Sequence, residues 1–266
     1  MRQHHDFIYF FLICFLASTA GAICGIGGGV IIKPALDAFH LMDVSVISFL
    51  SGCTVLSMST YSVIKSKTSG NSHIERKTGL PLALGAAAGG LLGKWLFSSV
   101  SSLSGNMDDV GAIQTVCLLI ITAGTMICTV CKEKLHSLHV TRPAVCVVIG
   151  IVLGLLSSFL GIGGGPMNLA ALFYFFSMDT KTAAENSLYI IFISQSASLL
   201  SSIVSGSVPH FDPFVLILMV AGGIFGGICG RAVNKHLSGR TVDKLFLMLM
   251  GLIVCINVYN IYIFAL

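Results

Sequence analysis

Eight apolar stretches, residues 7–24, 44–64, 80–100, 110–131, 144–160, 182–204, 214–233 and 242–264, run along the chain with short polar connections between them. Most are long enough to cross about 30 Å of hydrocarbon as helices, which satisfy each backbone N–H and C=O within the segment. The pattern predicts an all-α integral membrane protein. Two places interrupt it. Gly25, Ile26, Gly27, Gly28 and Gly29 follow the first stretch, and the same pentapeptide returns as Gly161, Ile162, Gly163, Gly164 and Gly165 after the fifth, 136 positions later in a chain of 266 residues. A motif repeated at that distance implies a duplicated unit, residues 1–131 and 132–266. Each glycine inside a helix costs about 1 kcal/mol relative to alanine, so three in succession break the helix in both copies.

The loop charges orient the spans. Lys65, Lys67, Arg76 and Lys77 follow the second stretch, Lys132, Lys134 and Arg142 precede the fifth, and Lys235, Arg240 and Lys244 precede the eighth. All three loops are expected on the cytoplasmic side, and the loop with His210 and Asp212, which has no lysine or arginine, on the other. Residues 144–177 must then enter from the cytoplasm and return to it. Their first arm would rise about 26 Å and the second, 166–177, about 18 Å. That makes a hairpin with the glycine motif at its tip, inside the membrane, and the same logic gives residues 7–39 a hairpin entering from outside. A hairpin followed by three spans has odd parity, so the expected architecture is two inverted repeats. At a shift of 137, Gly89-Gly90-Leu91-Leu92-Gly93-Lys94 matches Gly226-Gly227-Ile228-Cys229-Gly230-Arg231.

Inverted repeats with broken helices are a plan of secondary transporters, in which the breaks line the substrate site. A helix that begins at a glycine-rich turn presents unpaired N–H groups and the positive end of its dipole, an arrangement suited to an anion. Pro166, directly after the second motif, fits the first helical position. The glycines of the two pentapeptides are therefore read as a binding site, and Gly89, Gly93, Gly226, Gly227 and Gly230, at helical spacing, as helix-packing positions. Asn168, Asn186, Ser187 and Gln195 lie on or just after the second short arm, with Ser51 and Thr54 on the corresponding span of the first half. Their alternative role is hydrogen bonding between helices or back to the i−4 carbonyl. Lys33, four residues past Gly29, either supplies positive charge to the substrate or snorkels to an interface. Lys94 and Arg231 are read as surface anchors of their spans.

Composition agrees with the pattern. The chain is 55% hydrophobic and 10% charged, with a mean hydropathy of +0.93, too little polar surface for a soluble particle. The formal charge of +4 sits in the loops, so a nucleic-acid partner is not indicated. The nine cysteines fall mostly in apolar stretches as small hydrophobes. Cys128 and Cys131 lack the further ligands of a zinc site. Neither a metal nor another cofactor is expected.

The two pentapeptides, the first followed by Pro34-Ala35-Leu36 and the second by Ala171-Leu172, resemble the TauE/SafE family of sulfite exporters and related anion permeases, over nearly the whole chain. In that family a Thr-Ser pair opens the span after each motif. Leu50-Ser51 and Asn186-Ser187 hold that register here. The resemblance implies a multi-pass transporter of the cytoplasmic membrane that moves sulfite, sulfoacetate or another small organosulfonate, usually outward and without a prosthetic group. A coupling ion, H+ or Na+, and a homo-oligomer are left open. The other readings are an anion channel, and a membrane-embedded thiol sensor or enzyme using Cys24, Cys53 or the Cys128/Cys131 pair.

Overall fold

The computed structural model describes residues 2–38, 42–68, 75–104, 107–131, 137–162 and 164–264. Gly163 and the loop residues Lys132 and Lys134 lie outside them. The described residues form ten helices and no strand: α1 (Arg2–Cys24), α2 (Gly29–Ala38), α3 (Val44–Thr68), α4 (Arg76–Ser104), α5 (Met107–Val130), α6 (Pro143–Leu160), α7 (Gly165–Phe176), α8 (Thr180–Val204), α9 (Pro213–His236) and α10 (Gly239–Phe264). Eight are long and apolar enough to cross a membrane. The exceptions are α2 and α7, of 10 and 12 residues, which follow the two glycine motifs.

Local chemistry sets the breaks. Gly161 ends α6 in the left-handed region at φ 67°, where its N–H donates to the Ser158 carbonyl at 3.2 Å and the next N–H, of Ile162, to Ser157 at 3.3 Å. Gly164, at φ 80°, precedes α7, and Pro166 occupies its first turn, where a missing N–H costs nothing. Gly25, Gly27 and Gly28 take φ values of 78°, 81° and 70°. Side chains are disfavoured at such angles, which explains glycine at these positions. Asp179 caps α8 by accepting from the N–H groups of Lys181 and Thr182, and Asp212 caps α9 by accepting from Phe214.

The two breaks meet in the core. A Cβ placed on Gly29 would lie 2.6 Å from the Ile162 carbonyl oxygen, and one on Gly165 would overlap the Ile26 carbonyl oxygen. Ile26 and Ile162 are buried completely. Each tip also leans on a long helix from the other half of the chain, Gly25 on Ala184 of α8 and Gly161 on Ser48 of α3.

Two glycine seams knit the halves together. Gly85, Gly89 and Gly93 of α4 lie against the backbone of Val147, Ile151 and Leu155 in α6, and Gly222, Gly226 and Gly230 of α9 against Phe11, Phe15 and Thr19 in α1. Spacing every fourth residue puts three small residues on one helical face and lets the backbones touch, which favours association where lipid offers no hydrophobic drive. The packing roles expected of Gly89, Gly93, Gly226 and Gly230 are those observed. Each half thus lends its opening helix to the other: α1 packs on α9 and α6 on α4, while α3 packs against α8 and α5 against α10.

Candidate functional site: a serine-lined cavity at the second glycine tip

A cavity of about 550 Å3 lies between α3, α4, α6 and α8. Its mouth is marked by Ser45 at the start of α3, Ser98 late in α4, and Ser205 and Ser207 where α8 gives way to the α8–α9 connection; its lining reaches Gly161 at the break between α6 and α7. Ten serines line it, together with Gln114 and Gln195. Lys94 is its only charged lining residue among those described.

Helix geometry explains the polarity. Ser194, Ser198 and Ser202 recur every fourth residue on α8 and so share one face, of which Ser198 and Ser202 reach the cavity. Lys94 enters from α4, its ammonium donating to the Ser198 carbonyl at 2.7 Å and to the Ser202 hydroxyl. Its place is therefore a half-buried cavity wall and not the surface position expected from sequence, because the stem crosses onto α8 instead of running to an interface. Gln114 of α5 bridges inward, accepting from Lys33 Nζ at 2.6 Å through Oε1 and donating through Nε2 to the Phe159 carbonyl. Lys33 itself is buried beside this floor, 4.0 Å from Asp37. Its charge is turned toward the cavity through an amide, so it neither lines the space nor snorkels.

Several hydroxyls around the tips lack a protein partner. Among the described residues Ser48, Ser51 and Ser187 have buried oxygens without a hydrogen bond. A buried hydroxyl without a partner is destabilising, so each is a place where water or a solute oxygen would bind favourably. Ser48 lines the cavity, and a Cβ on Gly161 would lie 2.8 Å from its Oγ.

The other expected site residues divide. Gln195 lines the cavity, as does Gly161. Ile26, Gly27, Gly28, Gly29, Ile162, Gly164, Gly165 and Asn168 are buried at or just after the tips, as is Gly25. Thr54 bonds back to the Leu50 carbonyl at 2.9 Å. Asn186 accepts from the Glu75 N–H at 3.2 Å and donates to the Thr182 carbonyl at 2.9 Å, which ties the start of α4 to α8. Those two polar groups have partners within the protein. Sequence reasoning missed Ser48, Lys94, Gln114, Ser198 and Ser202. A lone glutamine inside the span at 110–131 was a usable signal; the serines become a set only once the helix rotation is known. The cysteines do not form one site: Cys24 is buried in α1, Cys53 is half-buried in α3 and Cys128 is exposed in α5.

The model of the family described as Sulfite exporter TauE/SafE matches residues 10–257. The chain belongs to this family. It is thus a multi-pass membrane transporter of the TauE/SafE type. Among curated relatives, the "Probable membrane transporter protein YunE" of Bacillus subtilis is 25% identical over 282 residues, covering 96% of this chain and 98% of that one. A "Probable membrane transporter protein" of Haemophilus influenzae is 26% identical over 267 residues, 94% and 98% of the two chains. The "Probable membrane transporter protein y4hK" of Sinorhizobium fredii is 32% identical over a shorter 111 residues, 40% of this chain and 43% of that one. No solved structure matches the chain.

Proposed function

We propose that this TauE/SafE protein is a secondary transporter that exports a small anion such as sulfite, sulfoacetate or another organosulfonate across the cytoplasmic membrane. The observation that carries the reading is the cavity: serine hydroxyls, two glutamines and one ammonium line about 550 Å3 that reaches a glycine helix break, with no carboxylate among the described lining residues. Such a lining repels no anion and offers many donors, each charge-assisted once an oxyanion arrives. The anion is held toward the Gly161 end of the cavity, where the lining residue Ser157 adjoins Gly164 and brings the positive end of the α7 dipole close.

Residues 1–131 and 132–266 act as two inverted units. Reciprocal contacts support this, since α1 on α9 and α6 on α4 exchange under the repeat, as do Gly25 on Ala184 and Gly161 on Ser48. Alternating access then follows from rocking one unit against the other about the touching tips. By the loop charges the cavity opens to the outside, because its mouth includes the α8–α9 connection with His210 and Asp212.

The test is flux of radiolabelled sulfite and sulfoacetate in proteoliposomes. The expected result is saturable flux with counterflow, reduced at least about tenfold in Gly164→Leu, where a side chain must adopt a left-handed backbone and meet Ser157. Ser48→Ala, a gentler change, is expected to weaken apparent affinity. Flux that never saturates would make the protein an anion channel, and undiminished saturable flux in both variants would remove the tip from the mechanism. Imposed pH and Na+ gradients in the same vesicles identify the coupling ion.

A further inference from the structure

The face opposite the cavity repeats its chemistry with one substitution. At the repeat shift of 137 Lys94 corresponds to Arg231, and at 136 Ser198 and Ser202 correspond to Ser62 and Ser66. Lys94 donates to the Ser198 carbonyl at 2.7 Å and to the Ser202 hydroxyl. Arg231 likewise donates to the Ser62 carbonyl, at 2.9 Å. Both cations are thus anchored to the same carbonyl of the neighbouring helix, with a serine one turn further on beside them.

The difference lies in what the cation faces. Arg231 lies 3.6 Å from a Glu185 carboxylate oxygen, and the Ser66 hydroxyl donates to the other oxygen of that carboxylate at 3.2 Å. A trigonal oxyanion therefore bridges cation and serine on this side. At the matching position of the first half stands Phe49, which lines the cavity and packs against Phe211 at 5.5 Å between ring centres. Among the described residues no carboxylate lines the cavity beside Lys94, so the cation and serine that Glu185 satisfies on one face are presented to open volume on the other. The Arg231 side chain is 15% exposed, and its Nε is buried without a partner among the described residues.

We propose that Lys94 and Arg231 are the cations that hold the transported anion on the two faces in turn, and that Glu185 occupies the anion's place on Arg231 in this conformation. The inference rests on the anion-transport reading and adds its charged binding residues. The bridging carboxylate indicates the ligand class: a small oxyanion head, sulfite, sulfonate or carboxylate, that spans an ammonium or guanidinium and a serine hydroxyl at once. Glu185 then has two effects. It shuts the face opposite the cavity by joining α8 to α9, and it competes with substrate there, so that the anion must displace an internal carboxylate to load from that side. Phe49 leaves the first face without such competition, and the two faces are unequal in affinity.

Binding of radiolabelled sulfite to purified protein in nanodiscs, with affinity read by scintillation proximity, tests the proposal. Lys94→Gln is expected to weaken binding at least about tenfold, the worth of one charged hydrogen bond, while Lys94→Arg retains most of it. If Lys94→Gln does not fold, Ser202→Ala is measured instead, with a smaller loss in the same direction. In inside-out vesicles Glu185→Gln is expected to tighten the apparent affinity for sulfite, and Arg231→Gln to weaken it. Equal binding by wild type and Lys94→Gln, or no change on the opposite face in Glu185→Gln, overturns the inference while leaving anion transport intact. A wild type that binds neither sulfite nor sulfoacetate overturns the anion-transport reading itself.

Discussion

Lys33 places a charge inside the core. A buried ammonium is tolerated only with compensation, supplied here by Gln114 at 2.6 Å and Asp37 at 4.0 Å. Lys33→Met is expected to lower stability by about 3 kcal/mol, because it removes the cation that faces the buried Asp37 carboxylate. Lys33→Met with Asp37→Leu should recover much of that loss, both read as thermal unfolding in detergent. Transport should stay low in both variants, since Gln114 loses the donor that holds it at the cavity floor; wild-type flux in the double variant would assign Lys33 a purely structural role. Four residues past Gly29, Lys33 was visible in the sequence as the charge nearest a tip. Lys94 was visible too, but its direction was not: a lysine near the end of an apolar span reads as an anchor until α8 is known to lie beside it. Asn186 shows what sequence cannot supply. Its cost of burial made it a candidate ligand, and the Glu75 and Thr182 backbone groups that satisfy it lie outside any local pattern.

At the scale of the element, all eight long helices were legible from apolar run length, and both breaks from three consecutive glycines. Neither the rotation of α3, α4 and α8 nor the cavity they enclose was legible, because apolar spans of low amphipathicity carry little record of which face turns inward. The glycine seams carry such a record. Gly89→Leu in α4 is expected to force that helix off Ile151 of α6 and abolish recovery of folded protein, as is Gly226→Leu in α9 against Phe15 of α1. Gly124→Ala, with nothing within 4 Å of an added Cβ, should be neutral or stabilise by up to about 1 kcal/mol through helix propensity; fluorescence-detected size-exclusion profiles separate these outcomes. The α8 cap makes a pH-dependent contribution. Burial of Asp179 favours its protonated form but is outweighed by hydrogen bonds from Thr182 and Lys181, and its carboxyl sits below the ordinary value. A depressed carboxylate stabilises the fold above the unfolded-state pKa, near 4, and loses that contribution as the pH falls through the folded value. Asp179→Ala should therefore cost about 1 kcal/mol at pH 7 and progressively less as the medium is acidified below the ordinary carboxylate range, by unfolding midpoints across that series.

Across the whole molecule, the two glycine tips form the central contact and the α1–α9 and α6–α4 seams hold the halves together around it. The seams also bear on how the protein is made. During synthesis α1 enters the bilayer when almost all of the chain, including the helix it must finally lie against, has still to be translated. Its contact face waits in lipid, or on insertion machinery, until α9 arrives, whereas α6 finds α4 already in place. The place of α1 is thus secured only late, and premature termination anywhere before α9 leaves an orphan segment exposed to membrane quality control.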